Sequence, residues 1–446
     1  MSAALLRTLA DLVGSAHCLA GADRGPFVVE GRTPCAVVFP GSVEEASRVV
    51  AAAADAAVPV IPWGGGTQMG LGAPPRDGAL VVGTWRLARI VEYEPADLTA
   101  TIEVGITMEA LQSALGAKGQ WMSLDPPLPA RATLGGVLAA NGSGPRRHLY
   151  GTARDLVIGL RVVGPDGAVV RSGGKVVKNV AGYDMAKLYL GSLGTLGLIV
   201  EATVKLRPLP EADRACWGAF ADLAAAGTAV RAVMASALVP HSIELLDAEA
   251  AAACGAAMPA PGGAVLLLGF DGLASPVAWQ LGEAERLLRG VGAGTVTALD
   301  EPAAAAMLGR VRDLRAAVAE PLAVARAALL PSRVAPFLAE AAAGARTAGL
   351  RLVAAAHAGS GIATLMLTPR EGDGRAAAAT VKTLALLRDH ARAAGGELVL
   401  EWAPLAVKEE VSVWDAPSPA VRLMQGIKAQ LDPKGIMNPG RFVGGI

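Results

Sequence analysis

The chain has 446 residues, enough for two or three folding units and a sizeable core. Forty basic residues balance forty acidic ones, and charged residues make up 18% of the chain. That balance argues against wholesale nucleic-acid binding, which needs an excess of phosphate-neutralising cations, and against a polybasic membrane anchor. Mean hydropathy is +0.42, yet much of the apolar content is alanine, and a spanning helix needs about 20 predominantly apolar residues in a row. The nearest run, 352–368, is broken by His357 and Ser360. The N-terminus carries Asp11 and lacks a long apolar core, so it is a poor secretory signal. A cytoplasmic chain with no direct membrane span is expected.

In chain order, residues 34–39 read as a short buried strand. Ser42 and Glu45 form an S-x-x-E capping box before a helix over 44–57, and 58–63 is the next strand. This βαβ order implies a parallel pair. Strand-like runs follow at 79–83, 90–94 and 98–104, then a helix over 107–117. A long glycine-punctuated stretch, 126–197, ends in the apolar strand 198–206. Pro208 and Pro210 mark a domain boundary. Beyond it the chain becomes alanine-rich. From Pro321 the order is strand (322–330), helix (332–348), strands (350–356 and 362–367), helix (375–394) and strand (397–402). That βαββαβ order is ferredoxin-like, and residues 214–297 hold a weaker copy. Residues 416–446 are a helix followed by the irregular tail LDPKGIMNPGRF.

The cysteines are Cys18, Cys35, Cys216 and Cys254, with no CxxC, which argues against zinc ribbons and cysteine-run iron–sulfur clusters. The histidines are His17, His148, His241, His357 and His390, with no HxH or HxxxH, so no metal site is encoded locally.

Three glycine motifs carry the chemistry. The first, IPWGGGTQMGLG from Ile61, follows a predicted strand. It lacks the Lys-Ser/Thr of a Walker loop and the helix phase of a Rossmann fingerprint. Consecutive glycines free several N–H groups to converge on one anion, as in a dinucleotide diphosphate. The competing reading is a plain glycine turn at a strand end. The second, ATLGGVLAANGSGPRRHLYGTARD from Ala132, is dominated by small residues where a ligand would lie flat against backbone, or where strand and helix cross closely. Within it Arg146 and Arg147 face an anion, a partner or solvent. The third runs from Gly173 to Pro208 and contains KNVAGYDM and GSLGTLGLI.

With WGGGTQ, ATLGG and the tail LDPKGIMNPGR, these strings resemble the FAD-binding domain of the vanillyl-alcohol oxidase and para-cresol methylhydroxylase (PCMH) superfamily. Within it they are most similar to the FAD-binding subunits of glycolate oxidases. The resemblance covers residues 34–208 and 425–442 and is weak in the middle of the chain. It implies an α+β fold: a two-subdomain PCMH-type FAD domain (1–208), a ferredoxin-like antiparallel cap (209–407), and a C-terminal tail (408–446) returning to the FAD domain. It implies that Trp63, Gly64, Gly65, Gly66, Thr67 and Gln68 cradle the FAD diphosphate. Thr133, Gly135, Gly136, Asn141, Ser143 and Gly144 would run along the ribityl chain and flavin, with Gly151 and Asp155 supporting that strand. Gly194 and Ile199 would contact the adenine side through backbone, and Asn438 would reach the flavin ring. Neither glycine motif offers a histidine or cysteine at the plausible position for a covalent link, so FAD is expected to be noncovalent. Lys178 and Tyr183 either face the flavin or pack beside it.

Catalytic relatives among the 2-hydroxy-acid dehydrogenases carry a metal-binding H-x-G-D-G-N-x-H and a later E-H-G base. This chain has HAGSGIAT, with His357 kept, Ser360 for the aspartate and Thr364 for the second histidine. In LEWAP, Glu401 is kept and Trp402 replaces the base. One histidine and one glutamate hold a divalent metal poorly, and an indole accepts no proton. No catalytic and no metal residue is therefore assigned. The resemblance implies an FAD-dependent oxidoreductase subunit of a glycolate oxidase complex. Its partners would be a second FAD 2-hydroxy-acid dehydrogenase subunit and an iron–sulfur subunit, through which it would sit at most peripherally at the inner membrane. The alternatives are a self-sufficient glycolate or D-lactate dehydrogenase, and a structural subunit that keeps the fold without flavin.

Overall fold

The computed structural model describes all residues except 176–182, 257–261, 371–375 and 416–417. Lys178 therefore lies outside the described residues. The chain forms two compact units. One comprises Met1–Ser143, Thr152–Leu209 and Ala416–Ile446, and the other Gly144–Gly151 and Pro210–Asp415.

The first unit holds a four-stranded and a five-stranded sheet. In the four-stranded sheet, Ala36–Val38 and Val60–Trp63 flank Leu80–Gly83 in parallel register. The helix Val43–Asp55 makes the crossover. Ser42 caps it by accepting from the Glu45 N–H at 3.1 Å. The Glu45 carboxylate reaches past the cap to the Gly41 N–H at 2.7 Å, so the expected reciprocal box is displaced by one residue. Val49, Val50 and Ala53 of this helix are buried against Val38, Leu80 and Val82. The five-stranded sheet is antiparallel, in the order Ile90–Glu94, Thr99–Glu103, Leu198–Lys205, Val157–Val163, Val169–Gly173. The helices Met108–Gly116 and Leu134–Ala140 contribute Leu111, Leu115, Leu134 and Leu138 to its core.

The tail completes the parallel sheet. The Val60 N–H donates to Ile436 O at 2.7 Å, and the Asn438 N–H donates to Val60 O at 2.8 Å. Residues 436–438 thus run beside Val60–Trp63, and Ile436 and Met437 enter the core. Buried Asp432 holds the turn before them. Its carboxylate accepts from the Ile436 and Met437 amides at 3.1 and 2.8 Å and from Lys428 Nζ at 2.6 Å.

The second unit is built on one eight-stranded sheet. Its order is Thr295–Leu299, Ala212–Phe220, Ala264–Gly272, Ser242–Asp247, Leu350–His357, Ile362–Pro369, Ala323–Ala328, Glu397–Trp402. Each half is a βαββαβ unit with the ferredoxin strand order 4-1-3-2. The halves join where their second strands pair, with Glu244 opposite His357. The weak repeat expected over 214–297 is a complete copy. Its helices Leu223–Met234 and Ala274–Gly290 bury Val230, Val233, Leu281 and Leu288 on the same sheet face.

Candidate functional site

Within the first unit a cleft opens where the glycine segments meet. Of the residues singled out in the sequence, Trp63, Gly64, Gly65, Gly66, Thr67, Gln68, Gly135, Gly136, Gly194, Ile199 and Asn438 line it. The parallel strand Val60–Trp63 delivers the loop to the cleft, and the short helix Leu134–Ala140 presents Gly135 and Gly136.

The loop is uncommon in what it leaves unbonded. Among the described residues, no N–H from Gly64 through Met69 donates to a protein acceptor. Such a run of unpaired, half-buried amides along a cleft wall is a ready anion cradle. The glycines are required for space as much as for conformation. A Cβ on Gly65 would stand 1.7 Å from Arg131 O, and one on Gly64 2.2 Å from Thr133 Oγ1. The positive φ falls at Gly66 (+70°), whose added Cβ would meet the Trp63 ring at 2.9 Å. Gly194 also has positive φ (+71°) and abuts Pro62.

Asn438 supplies a complementary feature. It is 5% exposed, with a left-handed φ of 39°. Its Nδ2 donates to Leu193 O at 2.6 Å. Because a carbonyl only accepts, this bond fixes the amide orientation. The buried Oδ1 is left with no donor among the described residues. Lone buried acceptors are costly unless a ligand or water meets them. The cleft thus offers many donors at the glycine loop and one orphan acceptor on the tail, which fits a group that is anionic in one part and hydrogen-donating in another.

The other expected residues lie elsewhere. Thr133 sits behind the wall, where its Oγ1 caps the helix by accepting from the Gly136 N–H at 3.3 Å. Gly135 and Gly136 spend their own N–H groups on Val104 O and Thr133, so they contribute flatness rather than donors. Asn141 is the exposed left-handed C-cap of that helix. Ser143 is half-buried and outside the wall. Asp155 is exposed and caps the short helix Ala153–Leu156, accepting from the Thr152 N–H at 2.8 Å. Gly144 and Gly151 bound a segment that belongs to the second unit, which removes them from the lining of this unit's cleft. Tyr183 is 91% exposed.

The sequence reading missed Met69, Leu71, Ala139, Ala140 and Arg441, which also line the cleft. Arg441 is 2% exposed, and burial pushes its guanidinium down to about 10. Its only signal was its place three residues after Asn438, because an arginine in an irregular tail reads as solvated. Among the described residues, no histidine or cysteine lines the cleft. Cys216 and Cys254 lie in the second unit, where burial pushes their thiols up to about 12 and 11.

In the second unit, the two segments aligned with a metal site do not converge. His357 ends its strand in the row Ile362–Ala328–Glu397. Glu401 lies four residues further along the outermost of those strands. At about 3.3 Å per residue and 4.8 Å per strand, that separates the two by roughly 20 Å. Glu401 instead pairs with Arg326 Nε at 2.8 Å. His357 Nδ1 sits 2.8 Å from the carboxylate of Glu244, which is 1% exposed. Among the described residues, the one cluster with metal-ligand spacing is Asp213, His241 and Asp271. Arg146 already bridges both of its carboxylates, and Tyr150 Oη donates to Asp271 at 2.7 Å.

Comparison with known proteins agrees with this architecture. Residues 34–173 match the FAD binding domain family, and residues 209–442 match the C-terminal domain of FAD linked oxidases. The chain belongs to the FAD-linked oxidases, and it is an FAD-dependent oxidoreductase of PCMH-type fold. It is 30% identical to glycolate oxidase subunit GlcD of Bacillus subtilis (strain 168), over 92% of this chain and 89% of that one. It is 28% identical to a probable mitochondrial D-lactate dehydrogenase of Danio rerio, over 92% and 85%. Glycolate oxidase subunit GlcE of Escherichia coli (strain K12) is 38% identical over 35% of this chain and 44% of its own. The solved structure of p-cresol methylhydroxylase with substrate bound superposes with a TM-score of 0.79 at 17% identity, covering 98% of this chain and 96% of that one.

Proposed function

We propose that this chain is the FAD-binding subunit of a glycolate oxidase-type 2-hydroxy-acid dehydrogenase complex and holds its flavin noncovalently. The carrying observation is the run of unbonded amides at Gly64–Met69 in the same cleft as the orphan Oδ1 of Asn438. The amides would bind the diphosphate, and Asn438 would accept from a hydrogen-bond donor of the cofactor. Gly135, Gly136, Ala139 and Ala140 would admit its flat parts without side-chain obstruction. Bound there, the isoalloxazine supplies reversible hydride and electron transfer. The absence of histidine and cysteine from the lining supports noncovalent binding.

The chain's own hydroxy-acid chemistry is proposed to be missing. The separation of His357 from Glu401 supports this, as does the indole of Trp402 at the base position. A sister flavoprotein would then abstract hydride and an iron–sulfur subunit would accept electrons. The names GlcD and GlcE, both subunits of glycolate oxidases, favour an assembly of this kind. One observation favours the second reading, a self-sufficient dehydrogenase: the His357–Glu244 pair is a histidine–carboxylate arrangement able to relay a proton.

The test is to purify the chain alone, measure its flavin spectrum, and add glycolate or D-lactate with an electron-accepting dye. A yellow protein without turnover is expected. Brisk dye reduction abolished by His357→Gln would establish the second reading, and a colourless protein that takes up no FAD would overturn both.

A further inference from the structure

The glycine loop is bonded through carbonyls at its two ends, whereas its amides are bare. Trp85 Nε1 donates to Gly64 O at 2.7 Å. The Leu71 N–H donates to Gln68 O at 3.0 Å. Arg441 Nη2 donates to Met69 O at 2.6 Å and to Leu71 O at 2.7 Å, and its Nη1 donates to Ala73 O at 2.6 Å. The Ala73 N–H returns a bond to Arg441 O at 3.1 Å. A five-donor planar guanidinium suits such a task, because it meets several acceptors in fixed directions, whereas an ammonium acts as a point charge. Trp85 is itself outside the cleft lining and is 47% exposed, with its ring stacked on Phe39 at 5.2 Å.

A glycine-rich loop is entropically costly to hold in one conformation. Without fixed carbonyls, its peptide planes would rotate and the amides would not stay aligned. We propose that Trp85 and Arg441 are positioning residues that pre-organise the Gly64–Met69 amides for a diphosphate, gripping the loop by its carbonyls at its first and last residues. This rests on the cofactor reading above and adds to it the residues that set affinity without touching the ligand's reactive end. It also gives the C-terminal tail a role in cofactor retention beyond its place in the core.

The experiment uses the full chain stripped of flavin. Trp85→Phe keeps the aromatic stack and removes only the N–H. Affinities for FAD and for ADP, which carries the diphosphate without the flavin, are measured by quenching of tryptophan fluorescence and by displacement. Loss of one such bond is expected to weaken both ligands in parallel, by roughly 5- to 30-fold, with the apoprotein's melting temperature unchanged. Arg441→Lys should weaken both ligands at least as much, because a single ammonium cannot reproduce the fixed directions of two guanidinium nitrogens on a planar fork. A structural role alone would lower the melting temperature and leave the affinity of the remaining folded protein intact. Wild-type uptake of FAD together with unchanged affinity in Trp85→Phe overturns the positioning role. A loss confined to FAD, with ADP unaffected, also overturns it, since the defect would then lie at the flavin end. A wild-type chain that takes up no FAD overturns the cofactor reading itself and this proposal with it.

Discussion

Gly65 shows how a single missing Cβ defines the cleft. The left-handed residue of the triplet is Gly66, and Gly65 is constrained instead by Arg131 O, 1.7 Å from where a Cβ would stand. Gly65→Ala therefore forces backbone apart, and Gly65→Asp adds an anion beside a site built for anions. Both variants are expected to purify without the flavin absorbance of the wild type, with Gly65→Asp not rescued by excess FAD. Asn438→Asp tests the orphan acceptor. Aspartate tolerates the left-handed backbone, but it cannot donate to Leu193 O, and it places a charge where a neutral amide oxygen stood. A buried unsatisfied acceptor costs about 1–3 kcal/mol, more when charged, so FAD affinity measured by fluorescence titration should fall at least tenfold. These contacts show why the site was legible in outline only. Glycine strings and Asn438 stand out as residue types. That Thr133, Asn141 and Asp155 serve as helix caps depends on where each helix begins and ends, and a one-residue shift there moves a side chain out of the wall.

Among the elements, the tail is the least regular and one of the most tightly bound. Asp432 gathers two amides and Lys428, while Lys428 Nζ also donates to Thr195 O at 2.6 Å and Met437 O at 2.9 Å. Asp432→Ala would strand a buried ammonium and two amides, at a cost of about 3–5 kcal/mol. A clear fall in the urea midpoint and loss of bound flavin are expected together, because residues 436–438 and 441 serve both the core and the cleft. In the second unit, the strand end at Asp247 carries a pH dependence. Its carboxylate accepts from the Ala250 N–H at 2.8 Å and the Ala354 N–H at 3.0 Å, yet burial outweighs both and raises it to about 7. Between about pH 4 and pH 7 the unfolded chain gives up this proton while the folded chain keeps it. Stability should therefore fall as pH rises through that window, by up to about 1.4 kcal/mol per pH unit, and level off above it. Urea midpoints at pH 5 and pH 7.5 measure the slope. In Asp247→Asn this contribution to the slope should vanish, whatever the variant's absolute stability. The strands named in the sequence were readable to within about two residues, because apolar runs bounded by proline and glycine mark them, whereas Val157–Val163 and Val169–Gly173 were hidden in the glycine-punctuated stretch. The tail's pairing with Val60 was not, since it joins residues nearly four hundred positions apart.

For the molecule as a whole, the decisive matter is whether any constellation in the chain replaces the metal and base of the 2-hydroxy-acid dehydrogenases. Two candidates exist among the described residues. His357 has the buried Glu244 beside it, but Glu401 lies roughly 20 Å away by strand register, and Thr364 offers a hydroxyl where the related motif has an imidazole. Asp213, His241 and Asp271 have the right spacing, but Arg146 neutralises the carboxylates, and a divalent cation would have to displace a guanidinium bonded to both. Breaking a buried charge pair of this kind costs several kcal/mol, which offsets much of what two carboxylates and one histidine gain from a metal. The chain should consequently bind zinc or manganese weakly, with less than one ion per chain retained against a chromogenic chelator of micromolar affinity. Added metal should not elicit dye reduction with glycolate or D-lactate. Arg146→Met supplies the internal control: with the guanidinium gone, the three ligands are released, and metal retention should rise toward one ion per chain while hydroxy-acid turnover stays absent. Stoichiometric metal in the wild-type chain, accompanied by turnover, would mean that the substitutions at Ser360, Thr364 and Trp402 had left the chemistry intact.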